Sequence, residues 1–350
     1  MAAKKGGELT ELKRQIRDND IKPLYLFYGE EDYLKEIYTN KIRDAVPDGG
    51  FPEFNHIYLT GSLPFSEYDD AWEAFPMMTD RKLIVIKNSG IMKSGRAGRD
   101  EESHSTEENK NFWQEKLKHI SDDAVVIFCE TSVDKRSVIY KAIAKQGMVV
   151  EFSYMSDADL VTWVIKRCLD RKRKISKDTA QNLVSRVDPG LNNLNNELEK
   201  LFDFCDGEIY SSDVDRVVSK SLNVITFDLT NAVMAGDAKK ALAILNDVKA
   251  NSKESSFAVL YLLLASFEKI LHAKLLGEKP LSEIASELGA APFIARRYVD
   301  SAKGFSEDAL VKMVTRVAEI DLEIKEGRCD EWTALYEYIT ECLYYQTGRR

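Results

Sequence analysis

With 350 residues, 44% of them apolar and 31% charged, the chain has enough apolar material for about two or three domains with real cores. Its formal net charge of −9 argues against a free-standing basic nucleic-acid-binding domain. Acidic residues outnumber basic ones in each third of the chain, so any DNA contact is local or shared with partners. Five cysteines without metal-ligand spacing point to a reducing, cytoplasmic setting and to no bound metal. The four histidines are scattered and give neither a zinc site nor a nucleophile–base pair. The N-terminal MAAKKGGELTELKRQ lacks the apolar core of a signal peptide. The most apolar run, Phe257–Phe267, is shorter than a membrane span, so no membrane association is expected.

The first 150 residues alternate helix and strand. Helical patterns cover Glu8–Asp18, Asp32–Val46, Tyr68–Phe75, Asn111–Ile120 and Val138–Lys145. Short apolar runs predict strands at Leu24–Tyr28, Phe54–Leu59, Leu83–Lys87, Val125–Cys129 and Met148–Phe152. Fully apolar strands separated by helices imply a parallel sheet covered on both faces. The polar stretch Ser94–Lys110 predicts a surface loop. Beyond Ser156 strand signals nearly vanish. Ser156–Lys172 and Ser176–Val187 each open on a serine suited to cap a helix. Leu191–Cys205 and Ser211–Val218 complete a small helical domain, and residues 219–228 (SKSLNVITFD) are expected to be a linker. The last third is all helix. Leu310, Val314, Val317 and Ile324 share one face, Gly327 closes that helix, and Asp321 and Lys325 are spaced to pair. Phe257–Leu276 is apolar over most of its circumference, which suits either a core helix or a helix of an oligomeric assembly.

PLYLFYGEEDYLKE, Pro23–Glu36, has the strand–glycine–helix layout of a phosphate-binding loop. That motif needs Gly, four residues, Gly, Lys and then Ser or Thr. Gly29 and Lys35 fit, whereas Leu34 stands at the second glycine and Glu36 at the hydroxyl. Leu34 blocks close backbone approach, and Glu36 sets a carboxylate where magnesium would be held. Glu30, Glu31 and Asp32 already supply negative charge beside the helix N-terminus. No nucleotide or other cofactor is expected, and Lys35 reads as a solvated helix lysine. No apolar strand ends in the acidic pair of an ATPase: Lys87-Asn88 follows one and Cys129-Glu130 ends another.

Two further segments are candidate contacts. KRCLDRKRKISK, Lys166–Lys177, is the densest basic cluster. Its Arg171, Lys172, Arg173 and Lys174 would touch DNA phosphates or an acidic neighbour, or form a solvated helix face. Pro280–Asp300 has the pattern of a helix-turn-helix, with Ala285 and Gly289 at the turn and Arg296-Arg297 on the second helix. Packing within a helical domain explains the same pattern.

An ordered set of segments resembles the delta subunit of the bacterial DNA polymerase III clamp loader. These are PLYLFYGEEDYLKE, AFPMMTDRKLIVIKN, DKRSVIYKAIAKQGMVVEF, NNLNNELEKL, ITFDLTNAVMAGDAKKALAIL and EIDLEIKEG. The resemblance covers nearly the whole chain. It implies an α/β AAA+-type (RecA-like) domain at residues 1–150, a small helical lid at 151–218 and an all-α collar at 219–350. It further implies a non-catalytic subunit of the DNA-directed DNA polymerase holoenzyme, which grips the beta sliding clamp and opens its ring. The implied partners are that clamp, clamp-loader subunits of the tau/gamma and delta-prime type, and primed DNA within the complex. In the family two adjacent apolar residues hold the clamp. Here they fall on Met77 and Met78, after Phe75 and Pro76, in a pattern that usually carries an aromatic residue. Without the resemblance, Met77 and Met78 would read as core. The rival functions are an active AAA+ ATPase using the Gly29 loop and a DNA-binding regulator using Pro280–Asp300.

Overall fold

The computed structural model describes residues 7–92, 106–118, 120–251, 255–290 and 292–347. These fall into two compact units, one within Met1–Tyr154 with Gly190–Asn192, the other within Met155–Pro189 with Asn193–Arg350.

The first unit runs α1 (Gly7–Arg17), β1 (Leu24–Tyr28), α2 (Asp32–Ala45), α3 (Pro52–Asn55), β2 (His56–Thr60) and α4 (Phe65–Glu73). It continues through β3 (Lys82–Lys87), α5 (Thr106–Lys118), β4 (Ala124–Glu130), α6 (Val138–Gln146) and β5 (Met148–Glu151). The strands form one sheet in the order β2-β3-β4-β1-β5, with parallel pairing throughout. Alternate side chains of the apolar strands go to opposite faces. Leu24, Leu26, Ile84, Ile86, Val126 and Phe128 pack with Trp113, Leu117, Ile139 and Ile143 of α5 and α6. Tyr25, Phe27, Leu83, Val85, Val125 and Ile127 pack with Leu12, Tyr38 and Ile42 of α1 and α2. The continuous apolar runs are therefore strands covered on both sides.

The second unit contains α7 (Asp157–Asp170), β6 (Lys174–Ile175), α8 (Lys177–Val184), most of α9 (Leu191–Phe204), β7 (Glu208–Ile209) and α10 (Ser211–Val217). It ends in α11 (Leu222–Met234), α12 (Ala238–Asn251), α13 (Ser256–Leu276), α14 (Leu281–Glu287), α15 (Pro292–Ala302), α16 (Glu307–Lys325) and α17 (Glu331–Thr347). Ser156 and Ser176 cap α7 and α8, accepting from the Asp159 and Thr179 N–H groups. Helix α13 meets the length and composition of a membrane span. Its Val259, Leu260, Leu263, Phe267 and Ile270 are buried in the helical core, while Tyr261 and Leu275 are exposed. In α16, Leu310 and Val317 are buried, Val314 and Ile324 pack beside them, and Lys325 Nζ lies 2.6 Å from Asp321.

Three local expectations need correction. Residues 222–228 of the expected linker are the first two turns of α11, capped by Ser221, with Leu222 and Ile225 packed against the helical core. The last five residues of the expected loop Ser94–Lys110 belong to α5, and positions 94–105 lie outside the described residues. The helical segment after Ser156 also contains a two-stranded parallel sheet, β6 with β7. Runs of two residues are too short to leave a periodic signal.

Candidate functional site

In the loop at Gly29 the chain itself fills the positions that a phosphate-binding loop leaves open. Gly29 adopts φ +121°, and a Cβ there would stand 2.2 Å from the Phe152 carbonyl oxygen. The glycine is thus required by close passage of the chain beyond β5. Lys35 is not the solvated lysine expected from sequence but is buried. Its Nζ donates to the Gly29 carbonyl at 2.6 Å and the Glu130 carbonyl at 3.1 Å, and lies 2.8 Å from Asp32 Oδ1. Leu34 packs against the α1–α2 side of the sheet, and Glu36 is exposed. Glu31, also buried, accepts from the N–H of Leu191, the first residue of α9, at 3.0 and 3.2 Å. Burial raises its pKa above the ordinary carboxylate value, against the lowering effect of that N–H. The Glu130 carboxylate is buried as well, and holds the turn after β3 by accepting from the Ser89 and Gly90 N–H groups at 2.9 and 3.3 Å.

A second feature is an apolar tip between α4 and β3. Helix α4 stops at Glu73, two residues short of the expected Phe75, with Ala74 as its C-cap in extended conformation. Pro76 keeps the preceding residue out of helical conformation. The end of α4 is also capped by Lys82, which is 1% exposed. Its ammonium donates to the carbonyls of Ala71 at 2.9 Å, Trp72 at 2.6 Å and Ala74. A cation there satisfies orphan carbonyls and meets the negative end of the helix dipole. Burial lowers the Lys82 pKa from the ordinary lysine value.

Beyond that stop the chain projects its apolar side chains. Phe75 is 86% exposed, Met78 81% and Met77 43%, with Pro76 half-buried between them. The ordinary core reading of the two methionines therefore fails, and Phe75 supplies an aromatic residue to the same tip. Met78 adopts φ +57°, a left-handed conformation uncommon for a residue with a Cβ. The tip backbone is nevertheless held firmly. Asn55, fully buried at the end of α3, donates to the Met77 carbonyl and accepts from the Met77 N–H, both at 2.7 Å. It also donates to the Asp48 carbonyl at 2.8 Å. The Thr79 hydroxyl donates to the Pro47 carbonyl at 3.2 Å. Asn55 and Lys82 carry no motif signal; the one hint is a lysine directly before the apolar run LIVI of β3.

The basic cluster is partly consumed within its own unit. Arg167 and Arg171 both bind Glu199, at 3.0 and 2.8 Å, and the Arg171 guanidinium also stands over the Phe202 ring. Arg173 donates to the Phe202 carbonyl. Lys172 and Lys174 are exposed, Lys172 with φ +57° just beyond α7. At Pro280–Asp300, α14 and α15 are joined through Gly289 at φ +57°, and Ile284, Ala285, Leu288 and Ala295 are buried in the helical core. Arg297 lies 3.6 Å from Asp157 and over the Phe227 ring, and Arg296 lies 3.5 Å from Asp300. Among the described residues no group of three or more His, Cys, Asp or Glu side chains is placed to hold a metal ion.

Comparison with known proteins agrees along nearly the whole length. The family model described as "DNA polymerase III, delta subunit" matches residues 25–153, and that of its C-terminal domain matches residues 223–342. The chain is 24% identical over 335 residues to DNA polymerase III subunit delta of Bacillus subtilis, covering 94% of this chain and 95% of that protein. It is 22% identical over 339 residues to the probable DNA polymerase III subunit delta of Aquifex aeolicus, covering 91% of each. The solved structure of the Bacillus subtilis DNA clamp loader delta protein superposes with a TM-score of 0.71, at 24% identity, covering 96% of this chain and 99% of that one. With both delta-subunit models matched in order and the same fold over almost every residue, the chain belongs to the DNA polymerase III delta subunit family.

Proposed function

We propose that this protein is a non-catalytic clamp-loader subunit of DNA replication, which binds the beta sliding clamp through the Phe75–Met78 tip and favours opening of the ring. Membership of the delta family supports the loading role. The observation that carries the contact is the exposure of Phe75, Met77 and Met78 on a backbone anchored by Asn55. Methionine adapts to an apolar pocket, and an exposed aromatic adds contact area. Burying such side chains contributes roughly 1.5–3 kcal/mol each. Ring opening then follows from differential affinity: a ligand that binds the distorted clamp better than the closed ring shifts the clamp toward the open form.

The loop at Gly29 supports the absence of nucleotide chemistry from this chain, because Lys35 is held by backbone carbonyls and Asp32. ATP hydrolysis belongs in this reading to subunits of the tau/gamma type. The division into an AAA+-type domain (1–150), a lid (151–218) and a collar (219–350) is part of the same proposal. So are a delta-prime neighbour, primed DNA within the assembly and a cytoplasmic location. Within Arg171–Lys174, Lys172 and Lys174, exposed beside the internally paired Arg171 and Arg173, are the residues left to meet DNA or a neighbouring subunit.

The test is titration of the purified chain with the sliding clamp of the same organism, beside a Met77→Asp, Met78→Asp double variant. Tight wild-type binding that collapses in the folded variant is the expected result. Undiminished binding by the variant would move the contact elsewhere, and no wild-type binding would overturn the proposal.

A further inference from the structure

The segment Asp48–Asn55 holds the Phe75–Met78 tip through Asn55 and Gly49. One side-chain amide, that of Asn55, engages both backbone hydrogen-bonding groups of Met77, as a neighbouring strand would. Its remaining amide hydrogen goes to the Asp48 carbonyl, which ties the tip to the turn at residues 48–50. That turn fits against the tip from the other side. Gly49 adopts φ +59°, and a Cβ on it would stand 2.8 Å from the Met78 carbonyl oxygen and 2.9 Å from that of Met77. Asp48 in turn accepts from the Gly50 N–H at 2.9 Å. Held by this segment, Met78 keeps a left-handed backbone while its side chain remains 81% exposed. A non-glycine residue persists in that region only where its surroundings over-determine it, and such residues cluster at binding sites.

We infer that Asn55 is a positioning residue for clamp binding, and that Asn55 and Gly49 form a cradle which sets the tip in its binding conformation before the clamp arrives. The inference rests on the docking reading proposed above. Its physical content is preorganisation. A tip already ordered in the free protein does not have to be ordered at the moment of binding, so affinity rises without any new contact. Asn55 itself is fully buried, so it would act through the tip backbone and not by contact with the clamp.

The test uses the full chain and two readouts. The first is hydrogen exchange at the Met77 amide in the free protein, which requires no clamp. Loss of one good hydrogen bond to a buried partner predicts exchange faster by about tenfold in Asn55→Ala. Gly49→Ala, which removes no hydrogen bond but puts a Cβ on a left-handed backbone and against the Met77 and Met78 carbonyls, should do the same. The second readout is titration with the sliding clamp, with Leu263→Ala as a control that destabilises the helical core without touching the tip. Both cradle variants should weaken clamp binding by about tenfold relative to that control. Affinities no weaker than the control's would overturn the positioning role. A Met77 amide that already exchanges freely in the wild-type chain would overturn the cradle alone. Clamp binding indifferent to Met77→Asp and Met78→Asp would overturn the docking reading and the role of Asn55 with it.

Discussion

The Lys35 ammonium lies 2.6 Å from the Gly29 carbonyl oxygen, so the lysine of the degenerate phosphate loop binds the loop's own backbone. With the Glu130 carbonyl also in reach, the site is saturated by groups of the chain. Lys35→Met should therefore lower stability by about 1–3 kcal/mol, because the buried Gly29 carbonyl loses its donor and the Glu130 carbonyl keeps only the Gly29 N–H at 3.1 Å. Urea unfolding would read this directly. Calorimetry should find no Mg-ATP binding by the isolated wild-type chain. Micromolar ATP affinity together with an unchanged urea midpoint in Lys35→Met would restore the ATPase reading.

Glu31 gives a pH signature. Its folded pKa is raised by burial from an ordinary 4.5, so between those two values the folded state holds more protons than the unfolded chain. Stability must then fall as pH rises through that window. Glu31→Gln keeps an acceptor for the Leu191 N–H and removes the titration. The variant should match or exceed the wild type in urea midpoint at neutral pH, and lose the wild type's decline above pH 4.5. Glu31→Ala leaves the N–H at the start of α9 without its acceptor, which should cost about 1 kcal/mol. A wild-type profile that rises across the same window, with Gln flattening nothing, would contradict the assignment.

These residues mark the limit of what the sequence discloses. The strands LYLFY, LIVIK and VVIFC were legible because both faces of the sheet are covered, which leaves no alternation to misread. The departure from the phosphate-loop pattern was legible in Leu34 and Glu36. The burial of Lys35 was not, because one of its acceptors, the Glu130 carbonyl, comes from β4, 95 residues away. Asn55 and Met77 are 22 residues apart and form no motif. The start of α11 was hidden by the β-branched run Val224-Ile225-Thr226, whose weak helix propensity is overridden by packing of Ile225 and Leu229 in the helical core. Met77 and Met78 would have passed for core on composition. The early end of α4 and the hold of Asn55 on the Met77 backbone accompany their exposure.

That early end is capped by Lys82. Its ammonium caps three carbonyls of the last turn of α4 from a fully buried position. Lys82→Met preserves much of the volume and removes the donor, so it should destabilise the chain by about 1.5–3 kcal/mol. The loss should be concentrated at α4, visible as faster amide exchange across Phe65–Glu73 while α16 is unaffected. Exchange that rises equally in both helices would show that Lys82 supports the unit as a whole and not the end of α4.

Met78 separates stability from recognition. Its left-handed backbone, φ +57°, is one that glycine adopts without penalty. Met78→Gly should therefore raise the stability of the free chain by roughly 0.5–1 kcal/mol, less a few tenths for the greater freedom of the unfolded glycine. The exposed side chain makes little packing in the free protein, so its removal should not reverse the sign. Under the docking reading the same change deletes an apolar contact of roughly 1.5–3 kcal/mol at the clamp, a loss of about tenfold or more in affinity. A variant that is both more stable and a weaker binder is the signature of a residue held in strain for recognition. Should Met78→Gly be destabilising, the strain is not there. Should it be stabilising and bind the clamp as well as the wild type, the Met78 side chain is not part of the contact, and Phe75 and Met77 must carry it.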